Sequence, residues 1–372
     1  MRSAITLYLL LTALVCPLFG DTEEHSSAPT RIFGVFAEGM VGGQYDGELY
    51  GSAFPALLYI DQDFFGSGHA LQVTFAGIYA AVDFTFVRMT GFPVNVTIHS
   101  DGLLLGMDQT FYRDGEAMDW TMRSPQSNLG VTLNHIIGDV LGVSMNHSMN
   151  LCDYDSNSSN FAPPENSVSY TGGVEIALST LSGGLPSEFT SAQGYRISVV
   201  PELIYQFDCQ EWGPDEAHYT HDARPAYRAV YQASYHRDMT RRLNLGGQAS
   251  YLHGRNMYQL EQWMVGQTDM FSPFPRLSGY YPGEFITSES PLLNLDLVLE
   301  VVPGTIVVIA AHDLFYHGEE GRFYQGSAIG VAAMITHGIE LGVRGSVGWN
   351  AQRETGPGWN AGLTLRYYRI NG

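Results

Sequence analysis

The chain has no lysine. All 18 of its cationic side chains are arginine, set against 38 acids, for a net charge of −20. A chain so short of positive charge gains little by releasing counterions from a phosphate backbone, which excludes nucleic acid as a partner. Cysteine is scarce as well: Cys16, Cys152 and Cys209 are too few to staple 372 residues into a disulfide scaffold. After residue 15 there is no long uninterrupted apolar run, so no helix of the chain is suited to cross a bilayer.

The first residues do carry such a run, but a short one. Arg2 precedes an apolar stretch over residues 4–15, and a less apolar region ends at Gly20 before the acidic "DTEEHSS". This is the pattern of a cleaved secretory signal peptide over residues 1–20. Residues 21–30 then form a short periplasmic segment, and residues 31–372 hold the remaining fold.

Over that remainder the dominant signal is a period of two. Leu293, Leu295, Leu297 and Leu299 alternate with Asn294, Asp296, Val298 and Glu300; Ile339, Leu341 and Val343 alternate with Glu340, Gly342 and Arg344. The same holds for Leu71, Val73 and Phe75 against Gln72 and Thr74, and for Leu363, Leu365 and Tyr367 against Gly362, Thr364 and Arg366. Strands of this kind have one apolar and one polar face. About sixteen of them can be counted, more than a soluble open sheet normally holds without splitting. Short connections near 61–68, 89–92, 136–138, 236–240, 303–304 and 337–338 alternate with mostly longer ones near 43–49, 153–166, 208–223, 254–289, 317–326 and 350–358. Alternating short and long connections, apolar-out and polar-in strands and an export signal together predict an all-β fold. It is a closed antiparallel transmembrane β-barrel in a bacterial outer membrane, with lipid as its surroundings.

Two stretches resemble a known family. "DQDFFGSGHALQVTF" (residues 61–75) resembles the turn between the second and third barrel strands of the surface-antigen superfamily, which includes BamA-type assembly barrels and two-partner secretion transporters. Asp61, Phe64, Phe65, Gly66 and Gly68 fit its pattern. The glycines allow a tight turn with positive φ, and the aromatics suit a membrane–water boundary. The second stretch is "RLSGYYPGEF" (residues 276–285), inside the long gap at 254–289. In the family a loop at this place folds into the barrel lumen with a tip of the form apolar–Arg–Gly–aromatic. Leu277, Ser278, Gly279 and Tyr280 occupy those places here, and "SPLLNLDLVLE" then matches the family's next strand. The resemblance implies a lumen loop with these residues at its tip. It also implies work in outer-membrane protein assembly or polypeptide translocation, with polypeptide cargo or periplasmic assembly factors as partners. A small-solute pore, or a surface antigen or adhesin with no transport role, is the alternative.

The departures from the family are specific. Ser278 stands where the tip Arg belongs, and Ala311 lies near the place of its usual acidic partner; Arg276, Asp313 and Glu284 are the available substitutes. With the pair lost together, the loop is expected to be held by packing and neutral hydrogen bonds. Residues 21–30 leave no room for the family's POTRA domains.

No catalytic or metal chemistry is legible. His312 and His317, and His218 and His221, are single-loop pairs without the Cys/His spacing of a zinc site, and no nucleophile is paired with a base. The expectation is a protein that is not an enzyme and has no cofactor or metal. Lumen-facing charges such as Asp83, Glu202, Glu340, Arg344 and Arg366 are expected to pair with one another or to set pore selectivity. Cys152 and Cys209 fall just past strands that run toward the same side, so an exported chain could bridge them.

Overall fold

The computed structural model describes residues 31–371 apart from 44–48, 78, 88–92, 104–107, 114–115, 139, 157–160, 165–166, 182–192, 208–210, 215–224, 258–261, 267–274, 282, 337 and 352–356. The signal-peptide and N-terminal segments, Cys16, Cys209, His218 and His221 therefore lie outside the described residues.

Sixteen strands close into one antiparallel barrel. In chain order they are β1 (Arg31–Gly43), β2 (Leu49–Asp61), β3 (Ala70–Ala76), β4 (Tyr79–Phe86), β5 (Val94–Leu103), β8 (Gln126–Ile137), β9 (Leu141–Cys152) and β11 (Ser167–Ser179). The second half comprises β12 (Gly194–Gln206), β14 (Ala226–Thr240), β15 (Leu243–Arg255), β18 (Glu289–Val302), β19 (Ile306–His317), β20 (Arg322–Thr336), β21 (Ile339–Gly348) and β22 (Gly358–Asn371). The intervening numbers are three small ribbons in the long connections. β6 (Asp108–Arg113) pairs with β7 (Glu116–Arg123), β10 (Phe161–Ala162) with β13 (Gly213–Pro214), and β16 (Trp263–Val265) with β17 (Phe285–Thr287).

The barrel closes because period-two strands with one apolar face leave no edge unpaired when the sheet meets itself. β1 pairs with β22 over thirteen residue pairs, from Arg31↔Asn371 to Gly43↔Trp359. Outward-facing apolar residues are exposed, for example Val35, Leu133, Ile197, Leu295, Val331 and Leu363. Their neighbours along each strand face the lumen, where Glu202 pairs with Arg228 and Glu340 with Arg366 at 2.8 Å. Lipid contact on one face and paired charges on the other is the arrangement that the alternation predicts.

The connections segregate by length with exceptions. One end of the barrel carries tight turns such as 241–242 and 303–305; the other carries the three ribbons. The turn expected near 236–240 lies later, because β14 runs on through His236 and Asp238 to Thr240, polar residues that reach the rim. The long loop expected at 317–326 is a four-residue turn, 318–321, made tight by Gly321 in a left-handed conformation.

The β2–β3 turn is built on Asp61, whose side chain is buried. It accepts from the Arg31 Nε at 3.0 Å, from the Tyr59 hydroxyl at 3.0 Å and from the Asp63 amide at 3.1 Å. A single 3-10 turn at Phe64–Gly66 follows, with Gly66 and Gly68 at φ of 69° and 68°. Phe64 packs edge-on to Phe84 on β4 with ring centroids 6.2 Å apart, whereas Phe65 is 85% exposed and points off the turn end. Asp61 thus fastens the start of β1 to the β2–β3 turn, and an exposed Phe65 suits an interfacial position.

Candidate functional site: the braced loop in the lumen

The connection between β15 and β18 enters the barrel. The β16–β17 ribbon joins its outgoing and returning limbs, and just past β16 Gly266 forms a parallel bridge with Arg276. The Leu277 amide donates to the Gly266 carbonyl at 2.7 Å, so the two limbs of the loop hold each other just before the tip. The return is closed by Glu284, whose carboxylate accepts from the Tyr281 amide at 2.7 Å.

The four tip residues are enclosed. Leu277, Ser278 and Tyr280 each have 0% exposure, and Gly279 lies between them at φ 85°. A Cβ on Gly279 would collide with the backbone of Val347 and Gly348 on β21. Conversely, a Cβ on Gly326 of β20 would strike the Ser278 carbonyl, and one on Gly348 would strike the Tyr280 ring. Three glycines on facing surfaces therefore let loop backbone lie directly on wall backbone. Around this contact Leu277, Tyr280 and Phe285 join Leu252, Leu292, Phe315 and Tyr324 of the wall in one buried cluster.

Polar contacts fix the register. The Tyr280 hydroxyl lies 3.1 Å from the Gln325 carbonyl and 3.0 Å from Asn350 Oδ1, and Asn350 also accepts the Gln325 amide at 2.9 Å. Asn360 on β22 donates to the Tyr280 carbonyl at 3.4 Å. The centre of the site is charged. Arg276 Nε and Nη2 donate to Asp313 Oδ1 at 3.1 and 2.9 Å, and Nη2 lies 2.9 Å from Asp296 Oδ1. Asp313 is fully buried, and it also accepts the Ser278 amide at 2.8 Å and Asn294 Nδ2 at 2.8 Å. A carboxylate with this many donors has its desolvation offset by charge-assisted bonds.

This corrects the expectation of a loop held by packing and neutral hydrogen bonds. The arginine–acid brace is present, displaced by two residues on each partner: Arg276 rather than position 278, Asp313 rather than position 311. A shift of two along β19 keeps the same lumenal face and moves the acid one rung along the wall. Ser278, at the expected arginine position, receives Arg344 Nη2 at 3.4 Å. The second carboxylate, Asp296, and the bridging Asn294 escaped notice because alternation marks them only as lumen-facing.

The other sequence candidates are dispersed. The turn residues Asp61, Phe64, Phe65, Gly66 and Gly68 belong to the β2–β3 turn rather than to the loop site. His312 Nδ1 lies 2.9 Å from Ser327 Oγ, while His317 Nε2 lies 3.2 Å from the Ile286 carbonyl; they face opposite sides of the wall's rungs as neighbours of different groups. Pro282, Phe271 and Phe274 of the loop lie outside the described residues.

Sixteen strands closed on themselves, apolar outside and polar inside, with a loop braced in the lumen, make this an all-β barrel of the outer-membrane type. The barrel of BamA from Haemophilus ducreyi, in a form lacking POTRA domains 1–3, superposes with a TM-score of 0.60 at 10% identity, over 93% of this chain and 71% of that one. CdiB from Acinetobacter baumannii superposes with a TM-score of 0.55 at 10% identity, over 91% of this chain and 60% of that one. This chain thus spans three fifths of CdiB, and at such identity the likeness is one of fold. No family model and no curated protein sequence matches the chain.

Proposed function

We propose that this barrel moves polypeptide across or into the outer membrane, and that the loop at 256–288 is its displaceable plug. The observation that carries the reading is the braced tip. A barrel that served only as an adhesin platform has no use for a fully buried Asp313 holding Arg276, Asn294 and the Ser278 amide inside its lumen. The resemblance to assembly and secretion barrels supports the same reading. Of its two arms, translocation through the lumen is favoured over insertion through the wall, because the β1–β22 seam is paired along its length.

The test has two parts. Removing residues 276–285 is expected to leave a folded barrel with raised single-channel conductance in planar bilayers. Depleting the protein in cells is expected to lower the amount of exported or surface polypeptide more than the amount of other outer-membrane barrels. Unchanged conductance together with protease access to Tyr280 on intact cells would make the loop a surface feature and replace this reading with an adhesin or a pore.

A further inference from the structure

A partly open space lies away from the plug tip, beneath the ribbons at the loop end. Met122, Phe161 and Trp212 come from three different connections and are buried together, with Met118, Tyr154 and Ile286 packed on them. Arg123 and Asp155 exchange backbone hydrogen bonds of 2.8 and 2.9 Å, and β10 pairs with β13, so the connections are stitched into one lid. Between this lid and the barrel wall is a chamber of about 210 Å³.

Its wall is rich in neutral hydrogen-bonding groups. β11 contributes the hydroxyls of Ser167, Ser169 and Thr171; β8, β9 and β12 contribute the amides of Gln126, Asn150 and Gln206. Hydroxyls and primary amides both donate and accept, so the surface can meet a partner that does the same. Arg228 also lines the chamber, but its charge is compensated: Nε donates to Glu202, and the guanidinium lies 5.1 Å over the Trp263 ring. On the lid side Met122 and Met264, with Ile204 from the wall, supply apolar surface. Ligand sites combine apolar faces with a few placed polar groups.

We infer that this chamber binds a neutral polyhydroxylated solute of monosaccharide size. An anion would meet an arginine already satisfied by a carboxylate, and an apolar ligand would match little of a wall made of hydroxyls and amides, of which Asn150 Nδ2 and Thr171 Oγ1 also bond each other at 3.4 Å. A hexose presents hydroxyls around its rim and C–H faces above and below, and it fits the volume. The site goes beyond polypeptide movement, since its lining residues are separate from the brace.

The test is equilibrium binding to the full-length barrel in detergent, followed by tryptophan fluorescence, with glucose, galactose and mannose as probes. Glucose 6-phosphate tests charge and maltohexaose tests size. At least one hexose is expected to bind saturably, with the phosphorylated and oligomeric sugars weaker. Thr171→Val, which keeps shape and removes a hydroxyl, should weaken binding about fivefold, and Ser169→Leu, which fills the chamber, should abolish it. Heat-modifiable electrophoretic migration checks that each variant is a closed barrel; if Ser169→Leu is not, Thr171→Val decides. Three hexoses that fail to bind would mean a chamber holding only water, and would overturn the inference. Tighter binding of glucose 6-phosphate, or unchanged binding in the variants, would overturn it as well.

Discussion

Arg276 holds Asp313 through two hydrogen bonds from one guanidinium, at 3.1 and 2.9 Å, across the boundary between the lumen loop and strand β19. Asp313 has no exposure, whereas the Arg276 side chain keeps 21% and touches a second carboxylate, Asp296. The two partners are therefore unequal. Loss of the arginine leaves a buried charge with only neutral donors; loss of the aspartate leaves the arginine another acid.

Arg276→Ala is accordingly expected to loosen the loop by about 3 kcal/mol, the scale for breaking a buried pair from one side. Asp313→Asn should cost less, and Arg276→Ala combined with Asp313→Ala should recover part of the loss. Limited proteolysis of the loop in the folded barrel measures this ordering. Equal protection in the native protein and Arg276→Ala would show that packing alone holds the tip.

Gly279→Ala tests the close approach rather than the charge. The residue needs φ 85°, and its Cβ would have to enter the space of Val347 and Gly348. Left-handed backbone strain alone costs on the order of 1–3 kcal/mol, and the overlap adds to it. The expected outcome is a displaced tip, read as raised channel conductance, in a barrel that still resists unfolding by detergent at room temperature. Conductance identical to the native value would place the tip elsewhere.

How much of this was legible in the sequence depends on which periodicity carries it. Strand alternation marks Leu295 as outward and Asp296 as inward with no structure at hand, because one-residue steps reverse the face. The same period hides the brace. Positions 311 and 313 are equivalent by alternation on β19, and 276 and 278 lie in an irregular tip with no period at all, so the family pattern falls on Ser278 and Ala311 and leaves Arg276 and Asp313 legible only as substitutes. The lid is less legible still. Trp212 is fully buried by Met122 and Phe161, residues some 50 to 90 positions distant in irregular connections, and no local pattern announces such a contact. Turn chemistry fared in between: Gly66 and Gly68 mark their turn, but the end of β14 at Thr240 is set by the rim, where a polar strand and a polar turn look alike.

The faces of the barrel make a direct prediction. Leu295→Arg puts a charge on an outward position and should destabilise the barrel by ~2–4 kcal/mol if it lies near the midplane, less toward either interface. Gly342 is a poor lumenal control, because its Cβ would press on the Thr364 hydroxyl. Gln72, half-buried on the lumen face opposite Asp83, is a better one. Gln72→Arg should change stability little. Similar losses for both variants in reversible folding into vesicles would contradict the assigned orientation.

The seam between β1 and β22 separates the two arms of the proposed function. Ala37 and Leu365 are directly opposed across it, and opposed residues in an antiparallel pair have Cα atoms about 4.5–5.5 Å apart, within disulfide range. Replacing both by cysteine should therefore give an oxidised barrel whose first and last strands cannot separate. Cys152 and Cys209 complicate the readout, so the pair is introduced with both replaced by serine, and the reduced form serves as its own control. Polypeptide that passes through the lumen needs the loop to move and the wall to stay shut. The oxidised variant should then export cargo at the rate of the reduced one, while a disulfide between loop and wall should stop it. Insertion of other barrels through the wall needs the opposite, an open seam and an indifferent plug. Loss of function on oxidation, restored by reductant, would sink translocation through the lumen and assign the protein to assembly.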